Sequence, residues 1–539
     1  MAKEEEKKAP KTELKRKLDK ITKLLKQPDH KAIDLGIEMV CSLEGVTVFE
    51  EFLKDCTVDE EGYLVGNEMF SGTGPCQQYL NYALLSVIAY APEDCELAVT
   101  LRQSTSRLSM ILPSTGPLTE FKNLVSLNLN GSSSLLNLDS LANCINLTNL
   151  YLDGCRSLVN VDGLVNCTNL TSIHFSSCDD LQNVDGCESL ENLDGLANCI
   201  NLTSLDLYRC ESLQNLEGLA SCINLTSLDL YRCGSLQNVD GLANCNNLTN
   251  LCLNYCRSLK NVDGLANCTN LTELTLSNCS SLQNVEGLAN CTSLTRLELS
   301  GSKSLENVDG LANLKKLISL DLSWCHCLEN VDSLINCTNL TYLEMSWCSS
   351  LKKVDALVNC VKLTSLDLNH CSSLLNLDGL DNSINLTTLS LYDCRSLENV
   401  DGLANCTKVV TISLYDCSSL RNVNGLNNCI NLISLSLNSC GSLQNVDGLA
   451  NSVNLTSLYL DGCSSLENVD GLVNCTNLTS LDLRECDLLQ NVDGLANLDQ
   501  LSNLDLNSCK HLVLKPSPVW MTTRKEVAAY QQYIKKGMK

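Results

Sequence analysis

Leucines set the rhythm of this chain. The pattern LxxLxLxxC begins at Leu124, Leu147, Leu170, Leu202, Leu225, Leu248, Leu271, Leu294, Leu317, Leu340, Leu363, Leu386, Val409, Leu432, Leu455, Leu478 and Leu501. These are 17 units of the form LxxLxLxxCxxLxNVDGLANCxN, with a period of 23 at every step but one. A fixed period of this size predicts a solenoid, in which each coil packs only on its neighbours. In TSLDLYRC, the alternation of a strand turns Leu205 and Leu207 inward and Ser204, Asp206 and Tyr208 outward. Leucines at positions 1, 4, 6, 12 and 18 of the unit fill the core. Asp at position 16 is expected to N-cap a short helical turn. Asn at position 14 is expected to bond turn backbone.

Two segments carry a resemblance. LYLDGCSSLENV at 458–469 is similar to the strand and turn of plant immune-receptor repeats, and VDGLANCTNL at 262–271 is as short as the matching half of internalin-type bacterial repeats. Over residues 118–514 the chain resembles the leucine-rich repeat family, bacterial cytoplasmic members in particular. The resemblance implies an α/β horseshoe solenoid with a concave parallel sheet and short convex turns or 3-10 segments. Family members mostly bind other proteins.

The 34 cysteines fall largely into two columns. One is position 9, with Cys155, Cys210, Cys325 and Cys509; the other is position 21, with Cys144, Cys199 and Cys475. Their substitutes are Ser132, Ser302, Ser383, Ser452, Leu314 and Leu498, which are small or apolar and include no other metal ligand. Stacked strands put column neighbours about 4.8 Å apart with parallel Cβ vectors, whereas a disulfide needs facing Cβ atoms about 3.8 Å apart. Free cysteine used as a small buried residue fits better than a disulfide framework or metal sites. The exceptional step, from Leu170 to Leu202, is lengthened by a nine-residue duplication near 179–195, where Cys178-DDLQNVDG is followed by Cys187-ESLENLDG. The extra block is expected to loop out.

Residues 1–117 do not repeat. KTELKRKLDKITKLLKQ, HKAIDLGIEMVCSL, VFEEFLKDC and CQQYLNYALLSVIAYA are predicted helices, and together they suggest a helical N-terminal cap. Residues 515–539 carry Thr523-Arg-Lys-Glu526, a capping box that opens a short basic capping helix. SGTGP at 71–75 lacks the Gly-Lys-Ser/Thr ending of a phosphate loop. The charged N-terminus has no apolar signal region, and no stretch is long and apolar enough for a membrane span. A cytoplasmic, reducing location is the expectation.

Little here suggests catalysis or a cofactor. The five histidines form no metal motif, and Cys325-His326-Cys327 does not converge with Cys348 and His370. Residues 118–514 carry a net charge of −25, the wrong sign for a nucleic-acid groove. The expected partner is a neutral to basic protein or peptide. Scaffold positions barely change along the array, while positions 3, 5, 7 and 8 vary in neighbouring pairs. Tyr208-Arg209 repeats as Tyr231-Arg232, Ser323-Trp324 as Ser346-Trp347, and Tyr392-Asp393 as Tyr415-Asp416. With Tyr342, His370, Asp321 and Glu344 beside the tryptophans, these residues make a candidate partner-binding strip. Asp206, Asp229, Glu298, Asp367, Asp482 and Asp505 extend an acidic column at position 5. The function expected is a non-enzymatic interaction scaffold. The alternatives are a self-assembling building block and, less favoured, an enzyme with its site in the N-terminal region. The oligomeric state is not legible.

Overall fold

The computed structural model describes residues 46–66, 77–175, 187–513 and 519–537, apart from 92, 94 and 113, with scattered positions between 16 and 39. The predicted helices over 11–27 and 30–43 and the loop at 71–75 lie largely outside these residues. The chain divides into two compact units, Met1–Arg257 and Ser258–Lys539.

The first unit opens with α1 (Val46–Leu53), then an antiparallel pair, β1 (Thr57–Val58) and β2 (Leu64–Val65), then α2 (Gln77–Tyr90) and α3 (Glu96–Ser104). α1 and α2 fall on apolar stretches predicted to be helical. The hairpin and α3 were not expected. Gly62, in the left-handed region at φ 88°, turns the hairpin. Arg102 on α3 donates to the carbonyls of Ile88, Ala89 and Ala91 around the end of α2. β3 (Arg107–Ser109) follows and pairs in parallel with β4 (Ser126–Asn128). The parallel sheet therefore starts inside the segment expected to be only a cap. It continues in register to β9 (Asn250–Cys252), and Ile173 faces Leu205 across the irregular step. Beyond that step it is Cys187 that enters the core column. Its Sγ donates to the Leu152 carbonyl at 3.5 Å. Cys178 lies in 176–186, outside the described residues.

The second unit carries β10 (Glu273–Thr275) through β20 (Asn503–Asp505), all parallel and each offset from the last by one repeat, so that Leu320, Leu343 and Leu366 stand in one row. β21 (Trp520–Met521) pairs antiparallel with β20 and leads into α4 (Arg524–Gly537). The capping box forms as expected. Thr523 Oγ1 donates to Glu526 Oε2 at 2.8 Å, and Glu526 N–H donates back to Thr523 Oγ1. Val527, Tyr530 and Ile534 of α4 are buried, and Gln531 donates to the carbonyls of Leu495 and Leu498 at 2.9 and 3.0 Å.

Each regular coil is a three-residue strand at positions 3–5 and a 3-10 turn that begins at position 16. The repeat leucines are buried throughout. The expected N-cap is corrected. The residue before the turn is Val or Leu, as at Val239, and it makes no side-chain cap. Asp240 is the first helical residue, and its N–H donates to Asn238 Oδ1 at 3.1 Å. In so short a turn the Asn two residues upstream reaches the first free donor, and the Asp side chain stays in solvent. The next residue is usually glycine because the preceding coil is too close for a side chain. A Cβ on Gly402 would lie 1.9 Å from the Leu377 carbonyl oxygen. Where Ser140, Ser333 or Ala356 takes this place, the 3-10 turn lengthens from three residues to five.

Away from the irregular step, both cysteine columns donate S–H to backbone carbonyls 26 residues upstream. Cys233 reaches the Leu207 carbonyl at 3.3 Å and Cys245 the Leu219 carbonyl at 3.7 Å. Ser302 makes the same bond to Leu276. Ser383 and Ser452, at position 21, do not. Both are buried, and both hydroxyls lack a partner. An unsatisfied buried hydroxyl costs about 1–3 kcal/mol, and a thiol tolerates apolar surroundings better. Ser452→Cys is therefore expected to raise the unfolding free energy by about 1 kcal/mol in a denaturant titration. A loss of stability would contradict this account of the column.

Candidate partner-binding site

The outward face is shaped by one backbone feature. Position 8 lies in the left-handed region in every coil where it is described, occupied by Gly131, Gly154, Gly301 and Gly462 but also by Arg209, Arg232, Tyr255, Trp324, Trp347 and His370. This conformation turns the chain away from the strand and lets the position 8 N–H reach the next coil. Trp324 N–H donates to the Ser346 carbonyl at 2.8 Å and Trp347 N–H to that of Asn369 at 2.7 Å. Glycine or asparagine adopts it at little cost. A residue with a bulky side chain pays about 1–2 kcal/mol.

Position 8 of the second unit carries a ladder of rings. Trp324 and Trp347 stack with centroids 4.5 Å apart and planes 11° from parallel. Trp347 stacks on His370 at 3.8 Å, His370 meets Tyr392 edge-on at 4.7 Å, and Tyr392 stacks on Tyr415 at 5.0 Å. The ladder passes from position 8 to position 7 between His370 and Tyr392. His326 meets Trp324 at 81°. Trp324 is 43% exposed and Tyr392 and Tyr415 about as much, although their faces are partly shared. The first unit has a shorter stack. Tyr208 and Tyr231 lie 5.1 Å apart and nearly parallel, with Tyr255 tilted beyond them. The structure thus brings together Trp324, Trp347, His370, Tyr392 and Tyr415, and separately Tyr208 and Tyr231. Tyr342 stands apart at position 3, and its hydroxyl donates to Glu344.

The charged candidates are already engaged. Arg209 lies 3.9 Å from Glu188 and 4.0 Å from Glu211. Arg232 lies over the Tyr231 and Tyr255 rings. The acidic column is less open than the alternation implied, and Asp206 is buried. Its carboxylates accept the N–H two residues on, as Asp321 does from Ser323 at 2.8 Å and Glu344 from Ser346 at 3.3 Å. Burial pushes the Glu344 and Asp367 carboxyls above their usual range, and neighbouring carboxylates push Glu344 further. Asp393 goes the other way. Burial opposes its ionisation, but the hydrogen bond with His370 Nδ1 and the pair with Arg395 outweigh burial and hold it low.

Sequence reasoning missed the left-handed column, Tyr255, His326 and the Tyr151–His174 stack at position 5. A signal was present, since glycine, Asn278, Asp393 and Asp416 all tolerate the left-handed region and all stand at position 8.

Among the described residues no group of three or more His, Cys, Asp or Glu side chains could hold a metal ion. The described column cysteines are buried; Cys327 is exposed and Cys252 half-buried. Burial pushes the thiols of Cys144, Cys155 and Cys348 up to about 12. Alkylation of the folded protein at neutral pH is expected to label Cys327 quickly, Cys252 slowly and the described column cysteines only after unfolding, as read by peptide mass spectrometry. Rapid labelling of Cys348 would contradict the packing.

These coils, strands and turns define a leucine-rich repeat solenoid. The sequence signature of the BspA type leucine rich repeat region matches in six copies over residues 118–207, 183–306 and 384–513, more than half of the chain, and the chain belongs to that family. Leucine-rich repeat domains typically serve as protein-interaction modules and are generally non-enzymatic. No curated protein matches the chain. Among solved structures it is similar to an internalin from Listeria monocytogenes, with 22% identity, 60% of this chain and 90% of that one covered, and a TM-score of 0.40. It is also similar to a leucine-rich repeat protein of Leptospira interrogans, with 17% identity, 73% and 94% covered, and a TM-score of 0.42. A second Listeria internalin, whose functional domain includes a cysteine ladder, shows 19% identity, 63% and 74% covered, and a TM-score of 0.33. No helix among the described residues is long and apolar enough to cross a membrane.

Proposed function

We propose that the chain is a non-enzymatic scaffold that binds a protein partner along the rings at the strand ends, with Trp324, Trp347, His370, Tyr392 and Tyr415 as the principal strip and Tyr208 and Tyr231 as a second. The observation that carries this is the placement of tryptophan in a left-handed position. Glycine fills the same position in four other coils, so the fold does not need a bulky side chain there. Strain of this kind persists where it serves a function. Exposed Trp and Tyr are also the residue types that dominate binding energy. The acidic column favours a neutral or basic partner. In this proposal the helices before β3 cover the first coil, α4 covers the last, and the buried thiols suit a reducing compartment such as the cytoplasm.

The test is affinity capture from the native source with the wild-type chain and with Trp324→Ala/Trp347→Ala, followed by titration of the purified partner. A fall in affinity of about 2 kcal/mol or more, with folding intact, supports the strip. Unchanged affinity moves the site elsewhere, first to Tyr208 and Tyr231.

One observation favours a second reading, a self-assembling block. At position 22 isoleucines stand in solvent in both units, Ile200 and Ile223 in the first and Ile384 and Ile430 in the second, each about half exposed. Sedimentation across a hundredfold range of concentration separates the two readings. Mass that grows with concentration, and is lost on replacing the isoleucines by threonine, favours assembly.

A further inference from the structure

Among the described strands of the parallel sheet, arginine occurs twice, and the two are placed differently. Arg296 in β11 pairs with Glu298, two residues on in the same strand. Arg107 in β3 has Ser109 in that place. Its guanidinium lies over the Tyr63 ring, 5.8 Å from the centroid, a contact that uses no N–H donor. Among the described residues it pairs with no carboxylate. The neighbouring strands carry no acid in the register of Ser109 either. They offer Asn128 and Tyr151, where Asp206, Asp229, Asp321 and Asp367 stand in later coils.

An open cleft lies over these residues. It has a volume of about 360 Å³, toward the low end of the range for small-molecule sites. Tyr63 and Tyr151 line it together with Arg107, Ser126, Asn128 and Asn149. No aspartate or glutamate lines it among the described residues, although the chain as a whole carries a net charge of −25. Asn128 keeps the local bond that the aspartates make. Its Oδ1 accepts the Asn130 N–H at 2.9 Å, as Asp229 accepts that of Tyr231 at 2.8 Å. The turn is therefore satisfied without the charge, and an NH2 group stands where an aspartate has its second oxygen. That NH2 group donates to no described residue. Asn149 Oδ1 lies 2.7 Å from the Thr148 hydroxyl, so this amide too has its oxygen engaged. The lining is thus rich in free donors around one fixed positive charge. An oxygen-rich anion supplies the missing acceptors. One arginine matches a single negative charge, and its fork of N–H groups matches a carboxylate.

We infer that this cleft binds a small hydroxylated carboxylic acid, of the size of a single sugar acid, with its carboxylate on Arg107 and its other oxygens on the Asn128 and Asn149 amides. The site is separate from the ring strip and does not depend on the interaction-scaffold proposal.

The experiment is a calorimetric titration of the full chain with glucuronate, beside glucose, inorganic phosphate and acetyl-diglycine. Glucuronate is expected to saturate one site with a Kd of about 1 mM or tighter. Glucose, which lacks the carboxylate, is expected to bind about tenfold more weakly or not at all. Asn128→Asp restores the residue type of the later coils, so it keeps the bond to Asn130 and sets a negative charge beside the ligand. It is expected to fold as wild type and to weaken glucuronate about tenfold or more. Arg107→Gln is expected to do the same. The wild-type chain gives an independent readout. Saturating glucuronate is expected to slow phenylglyoxal modification of Arg107 about threefold or more, with the exposed Arg257 unaffected, as read by peptide mass spectrometry. If either variant fails to fold, the other and the protection of Arg107 decide. Glucose binding as tightly as glucuronate, a folded Asn128→Asp that binds as wild type, or Arg107 left unprotected would each overturn the inference. So would the absence of saturation up to about 10 mM. Tighter binding of phosphate or of acetyl-diglycine would overturn it as well, in favour of a phosphorylated ligand or a peptide terminus.

Discussion

A chain lacking residues 1–105 is expected to aggregate. Those residues include the hairpin that lies along β3. Ser106 and Arg107 both donate to the Gly62 carbonyl, and Tyr63 bridges Arg107. They also include α2, which packs on the 3-10 turn at Gly116–Glu120. Removal exposes the outer edge of the parallel sheet, a template for pairing with another chain. It also uncovers apolar side chains such as Leu118 and Phe121, which are fully buried in the intact chain. A solenoid without its end cap is insoluble for the same reasons. The check is the soluble fraction and the sedimentation of the truncated protein beside the full chain. A soluble, monomeric product would give the N-terminal helices a role other than capping and would raise the standing of an enzymatic site there.

Leu343→Ala is expected to destabilise by about 2–5 kcal/mol. Leu343 is fully buried in the middle of the second unit, with Leu320 and Leu366 beside it in the sheet. The cavity is lined by neighbouring coils, and coils interact only with their neighbours. Hydrogen exchange should therefore rise first in the coils flanking Leu343, with little change near Leu458. A uniform rise along the unit would mean that the coils unfold as one body.

The solenoid was legible because period, alternation and burial agree. The constant leucine period fixes the register, and strand alternation fixes which leucines face inward. The cysteine columns were legible from their substitutes, Ser302 and Leu314 among them. β3 was not, because Arg107-Leu108-Ser109 carries only one inward leucine and stands outside the repeat. The N-cap assignment failed because Asp240 matches the cap preference in type, while the one-turn helix puts Asn238 within reach of the free N–H. The ring residues were legible one by one and as pairs within stacking range, but not as one run of five rings. That His370 at position 8 meets Tyr392 at position 7 depends on ring orientation, which spacing does not encode. The left-handed column was hidden for a related reason. Its glycines are diluted by Trp324, Trp347 and Tyr255, which in a sequence look like ordinary surface residues.

The most direct measurement is made on Trp324→Gly/Trp347→Gly, with unfolding free energy and partner affinity determined on the same preparation. Glycine relieves about 1–2 kcal/mol of left-handed strain at each site. Against this stand two lost stacking contacts, Trp324 on Trp347 and Trp347 on His370, of about 0.5–1.5 kcal/mol each, and a backbone entropy cost of about 0.5–1 kcal/mol per glycine. These terms nearly cancel, so stability is expected to stay within about 1 kcal/mol of wild type. Affinity is expected to fall by about thirtyfold or more. A variant that keeps its affinity and loses several kcal/mol of stability would show that the ladder holds the fold together and does not bind the partner.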